Sequence, residues 1–192
     1  MSGMPEKQKR YTYGDYLKWD EKNRYEIIDG FPHFLASPSV LHQITVGNIY
    51  FKFKEYLNDK MCKVFTAPLD VLFPQREDIK EEDVDVVVQP DVFIVCDENK
   101  IENGKNCKGP PDMIVEVLSP ATASRDFITK RNLYERAGVK EYWIASPEEK
   151  NIVVFRIDEN MKYNLYGIYD EDSVVDVGIL PDLSIAVREI FV

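Results

Sequence analysis

Residues 113–118, MIVEVL, constrain the fold more than any other stretch of this chain. The run is apolar and rich in β-branched residues, and prolines at 110, 111 and 120 close both of its ends. So short a run reads as an interior strand of a parallel or mixed sheet rather than as a helix. Glu116 lies at its centre. Burying an ionised carboxylate without a partner costs on the order of several kcal/mol, which leaves three readings: a sheet edge, a cationic partner, or a metal ion. The residues downstream narrow the topology. Residues 124–137 show helical periodicity and stop at Gly138, a normal left-handed helix end, and KEYWIA at 140–145 returns as a strand whose Tyr142 and Trp143 pack in the sheet. A strand, a helix and a strand in that order predict a right-handed β-α-β crossover within one sheet.

Upstream, Thr12 can cap a short helix carrying Tyr13, Tyr16 and Leu17 and ending near Asp20. Residues 24–28 and 31–36 flank Asp29-Gly30, the turn chemistry of a β-hairpin. A long helix comes next, capped by Ser37 or Ser39, with His42, Val46, Ile49, Phe53 and Tyr56 along one narrow face. Residues 63–73, broken by Pro68, and 84–96, broken by Pro90, read as extended, and the intervening REDIKEEDVD as a solvated acidic loop. Residues 152–156 with 163–169 suggest a final antiparallel hairpin. The expected class is α/β or α+β, a mixed sheet flanked by helices with hairpins near both ends. Residues 11–192 are expected to form one domain behind a flexible tail at 1–10, since 44% hydrophobic and 30% charged residues suit a single folded core.

No segment approaches the roughly 18 consecutive apolar residues of a membrane span, and no signal-peptide pattern is present, so a cytoplasmic location is expected. Cys62, Cys96 and Cys107 form no CxxC or Cys/His spacing and are read as free thiols. The net charge of −10 with two histidines argues against a broad basic surface for nucleic acid. It does not exclude a local basic groove, and carboxylates gathered around a cation also lower the total.

Three features converge on the strand of Glu116. Asp91, in Gln89-Pro90-Asp91, sits where Pro90 interrupts strand pairing; it can cap a backbone NH or serve chemistry. Glu116 is the second. The third is the helix after it: at about 100° per residue Phe127, Leu133, Tyr134 and Ala137 share a face with Asp126 and Lys130, turning the lysine inward. An Asp126/Lys130 pair with the lysine stem snorkelling outward is the competing account. Carboxylates that bind Mg²⁺ and a lysine beside the attacking water are what phosphodiester hydrolysis uses.

YEIIDG, QPDVFIV, IVEVLSP and ASRDFITKRNLYERAGVKEYWI together resemble the Uma-type endonuclease family, abundant in cyanobacteria and other bacteria, with the restriction-endonuclease-like PD-(D/E)XK fold. The likeness runs from about Tyr11 to the C-terminus and is most specific between residues 110 and 147. It implies a divalent ion, Mg²⁺ or Mn²⁺, held by Asp91 and Glu116, and DNA as substrate. The chain departs from the superfamily pattern at residue 118, where Leu118 replaces the lysine of the (D/E)XK tripeptide. Some branches supply that lysine from the following helix, which is where Lys130 lies. Glu26 resembles the family's N-terminal acid and either completes the site or is a solvent-face glutamate. His42 at the first turn of its helix, Asp70 beside Pro68, Asp126 as an orienting group and Tyr134 one turn beyond Lys130 are auxiliary candidates. A homodimer is expected by analogy with nucleases that pair two sites to cut two strands. The alternatives are a weakly catalytic or non-catalytic nucleic-acid-binding module on this fold, and a metal-dependent hydrolase of another phosphate ester such as RNA or a nucleotide.

Overall fold

Asp29 and Gly30 both take positive φ, 52° and 82°, and so close the first hairpin. The computed structural model describes residues 9–20, 23–119 and 123–191, so most of the tail predicted at 1–10 lies outside the described residues. A one-turn helix α1 (Tyr13–Tyr16) precedes that hairpin, β1 (Arg24–Ile28) and β2 (Phe31–Leu35). The helix is shorter than predicted and leaves Leu17 exposed. Helix α2 (Val40–Tyr56) begins at Ser39, whose hydroxyl accepts from the backbone NH of His42 at 3.1 Å. Strands β3 (Lys63–Thr66), β4 (Val71–Leu72), β5 (Val87–Val88), β6 (Val92–Val95), β7 (Cys107–Lys108) and β8 (Met113–Val117) come next. A π-helical turn, Arg125–Lys130, leads directly into α3 (Arg131–Ala137), which stops at Gly138 with φ 82°. The chain then builds β9 (Glu141–Ser146), β10 (Asn151–Ile157), β11 (Tyr163–Tyr169), β12 (Val174–Asp176) and β13 (Ser184–Ala186).

Among the described residues these strands form a five-stranded sheet ordered β2-β1-β5-β4-β7, a six-stranded sheet ordered β11-β10-β9-β8-β6-β3, and the small pair β12-β13. The parallel pair β8/β9, spanned by α3, is the predicted β-α-β unit; β6 joins β8 antiparallel, so the sheet is mixed. Pro68 and Pro90 do more than interrupt strands. Each stands where the chain leaves one sheet for the other: β3 and β6 belong to the six-stranded sheet, β4 and β5 to the five-stranded one. A proline cannot donate to a ladder, so the exchange happens where pairing is already broken.

The alternation of β8 sorts its residues onto two layers. Met113, Val115 and Val117 pack with Ile49 and Phe53 of α2. Ile114 faces the other way, towards Tyr134 of α3 and Ile28 of β1, and Glu116 shares that face. Each apolar side chain of β8 is at most 2% exposed, and such burial stabilises by roughly 1.5–3 kcal/mol per large side chain. Tyr142 and Trp143 are fully buried on opposite faces of β9, as expected of packing residues.

Two expectations are corrected. Cys62 and Cys96 are not free thiols: they form a disulfide, and Cys107 alone is free and buried. Lys63 pairs with Val95 across β3 and β6, so the residues one step beyond the ladder face each other although 34 positions separate them in sequence. Phe127 is also not part of the inward helix face; it is 37% exposed, whereas Asp126, Lys130, Leu133 and Tyr134 are buried. The i→i+5 bonding of a π turn advances each residue by less than 100°, which swings Phe127 away from the core.

Candidate active site

Lys130 is 4% exposed, and its ammonium lies 2.8 Å from Glu26 Oε1 and 2.9 Å from Glu116 Oε1. Three elements meet in this contact: β1 from one sheet, β8 from the other, and the π turn packed over both. Burial alone would drive a lysine towards the neutral form, but the charges of Glu116, Glu26 and Asp126 outweigh it and raise its pKa. Glu116 also accepts from the hydroxyl of Tyr134 at 2.6 Å. Tyr134 is fully buried, tilted against Phe73 and edge-to-face with Tyr142, so it fixes the carboxylate from within the core. Burial pushes Glu116 well above the usual carboxylate range; Lys130 opposes that, and the charges of Asp91, Asp126 and Glu26 add to it.

Asp91 occupies the gap between β5 and β6. Its Oδ2 accepts from the backbone NH of Val117 at 2.8 Å, so it does cap a backbone group, but the group is the one beside Glu116. His42 Nε2 lies 3.2 Å from the same oxygen. Burial lowers the His42 pKa, the hydrogen bond and charge of Asp91 raise it, and the net direction is upward. Its Nδ1 is buried with no hydrogen-bond partner among the described residues. Asp126 is 2% exposed, and its backbone carbonyl accepts from the Tyr142 hydroxyl at 3.1 Å.

Asp70 stands further back. It accepts from Gln89 Nε2 at 2.9 Å and from the Tyr13 hydroxyl at 3.4 Å, and burial raises its pKa against those two hydrogen bonds. Gln89 connects it to the centre. Its backbone NH donates to Glu26 Oε1 at 3.0 Å, and its side-chain oxygen accepts from Arg24 Nε at 2.9 Å and Nη2 at 2.7 Å. Glu26, Asp91, Glu116 and Lys130 thus line one cavity of about 650 Å³ together with Arg24 and Arg125; Asp70 and Tyr134 stand outside its lining. Sequence reasoning missed Arg24, Gln89 and Arg125. Arg24 was open to detection, since residues i and i+2 of a strand share a face.

Among the described residues no three His, Cys, Asp or Glu side chains converge at metal-binding spacing. Asp91 and Glu116, both in the cavity lining, are the kind of donor Mg²⁺ takes: one or two carboxylates, with water and phosphate oxygens completing its shell. In the same cavity Glu26 Oε2 is buried with no hydrogen-bond partner among the described residues, while its Oε1 accepts from Lys130 and from the Gln89 backbone NH.

Mixed sheets with a helix on the β8/β9 crossover give the chain a restriction-endonuclease-like fold. A crystal structure from Anabaena variabilis, described as a putative nuclease belonging to DUF820, has this fold: the TM-score is 0.73 at 18% identity, over 94% of this chain and 97% of that one. The chain belongs to the Uma2 family, described as putative restriction endonuclease, whose pattern matches residues 13–188. An uncharacterized protein of Synechocystis sp. is 23% identical over 149 residues, which cover 76% of this chain and 74% of that protein.

Proposed function

We propose that this chain is a divalent-metal-dependent endonuclease that hydrolyses DNA phosphodiester bonds. The observation that carries the reading is Lys130, buried in the wall of an open cavity and bonded to Glu26 and Glu116 from two different sheets. Desolvating a lysine and two glutamates is expensive and a hydrophobic trio would pack as well, so the arrangement points to chemistry. Asp91 and Glu116 would hold Mg²⁺ or Mn²⁺, which when bound polarises the phosphate and lowers the pKa of a water. The chain's own groups do the rest. Lys130, as an ammonium, offsets charge growing on the phosphate oxygens and orients the attacking water. Glu26 and Tyr134 hold Lys130 and Glu116 in register, and His42 with the Val117 NH holds Asp91.

Supercoiled plasmid incubated with Mg²⁺ or Mn²⁺ should be nicked or linearised, and chelation should stop the reaction. Glu116→Ala should lose both metal binding by calorimetry and cleavage. Lys130→Arg, which keeps the charge but misplaces it, should bind metal and cleave about 100-fold more slowly or worse. A wild-type chain whose Mg²⁺ or Mn²⁺ binding is unchanged by Glu116→Ala defeats the assignment. The net charge of −10 favours a second reading, hydrolysis of RNA or a nucleotide at the same centre, because a short substrate needs little basic surface. Cleavage of such substrates with plasmid left intact would select it.

A further inference from the structure

Few cations line the cavity. Lys130, paired with Glu26 and Glu116, serves the phosphate being cleaved, which leaves Arg24 and Arg125 to meet the flanking phosphates of a polyanion. Arg24 is exposed, yet its guanidinium is anchored to a buried side chain. Two of its NH groups, on Nε and Nη2, converge on the single side-chain oxygen of Gln89. Gln89 is only 6% exposed, and its amide cannot flip without cost: Nε2 donates to Asp70 at 2.9 Å and to the Tyr16 hydroxyl at 3.1 Å. A carboxylate at Asp70 accepts only, so it forces the amide oxygen of Gln89 towards Arg24. Among the described residues Arg24 is in no ion pair with a carboxylate, so a neutral amide orients its charge without cancelling it. Strand geometry sets the distance. Arg24 and Glu26 share a face of β1 and stand two residues, roughly 7 Å, apart, so the strand places Glu26 at the floor of the cavity and the guanidinium at its mouth.

We infer that Arg24 clamps a phosphate of the substrate strand next to the one being cleaved, and that Asp70 and Gln89 are positioning residues that hold the guanidinium ready for it. Fork-shaped donors suit phosphate, and a guanidinium fixed beforehand loses little freedom on binding. The inference rests on the nuclease reading of the same cavity, and it gives Asp70 a role that its place behind Gln89 would otherwise leave unexplained.

The test is the anisotropy of a fluorescein-labelled single-stranded DNA oligonucleotide, titrated with the full chain in Ca²⁺ at several salt concentrations. Arg24→Gln should weaken binding roughly tenfold and reduce the slope of log K against log salt by about 0.7, the loss of one phosphate contact on a single strand. Arg24→Lys should restore the slope but only part of the affinity. Gln89→Met should lower affinity with the slope kept, because the charge remains but its orientation does not; a purely structural Gln89 would leave the affinity of the folded variant unchanged. Thermal melts confirm that each variant is folded. A wild-type chain that does not bind the oligonucleotide overturns the clamp, as does an Arg24→Gln chain matching wild type in affinity and slope. If wild type still cleaves plasmid when either result is found, the clamp fails and the nuclease reading stands.

Discussion

Lys130, buried between Glu26 and Glu116, ties the stability of the centre to its proposed chemistry. Removing it leaves Glu26 and Glu116 buried without their cation, a change that costs roughly 3–5 kcal/mol, so Lys130→Ala should lower the urea midpoint strongly as well as abolish cleavage. Lys130→Arg separates the two effects. Tyr134→Phe deletes only the donor to Glu116 and keeps the ring; it should cost about 1.5–3 kcal/mol, the range for a hydrogen bond to a charged group, measured by urea denaturation. Asp112 offers a pH test remote from the cavity. Burial alone would raise its pKa, but Lys140 and the backbone NH of Cys96 bond it at 2.7 and 2.8 Å and the net direction is down. A depressed carboxylate contributes stability above its unfolded pKa, about 3.9, and that contribution disappears as pH falls through the lower folded value. Urea titrations should therefore show wild type losing more stability than Asp112→Asn below about pH 4. Which residues reach the cavity was partly legible. The inward turn of Lys130 followed from helical spacing, and Glu116 from a charge inside an apolar run. Gln89 carried no such signal, because its importance lies in contacts with residues 19 to 73 positions away.

At the scale of elements, the π turn at Arg125–Lys130 is the main departure from ideal geometry. Its wider winding keeps both Asp126 and Lys130 buried while letting Phe127 out, and a wheel drawn at 100° per residue cannot show that. Such turns are often found at functional sites. The disulfide is the other element-level feature. It ties β3, an edge strand of the six-stranded sheet, to its neighbour β6. Closing a loop of this sequence separation is worth roughly 3–4 kcal/mol in the chain-entropy model. Cys62→Ser/Cys96→Ser, or reduction of the wild type, should lower the urea-derived stability by up to that amount, with the loss felt first near β3 as faster amide exchange. No local spacing announces this bridge; only the register of β3 against β6 does. The hairpin of β1 and β2, by contrast, was readable to within a residue, because Asp29-Gly30 encodes its own turn chemistry.

Across the whole molecule, the acidic total and the few cations of the cavity set how the chain can meet nucleic acid. With Arg24 and Arg125 as its remaining cations, the cavity should neutralise two flanking phosphates, so binding to single-stranded DNA should show a salt slope of only about −1.4. A slope several times steeper would mean a broad basic surface elsewhere. The mixed-sheet class was legible from the order of strand, helix and strand, but the division into two sheets was not: Pro68 and Pro90 announce breaks without saying where the chain goes next. That division has a consequence for how the protein is made. Glu26 is synthesised early, Glu116 much later and Lys130 later still, and β8 lacks its parallel neighbour until β9 has emerged. A growing chain therefore holds only fragments of the centre, and the proposed cleavage could not begin until the crossover has closed.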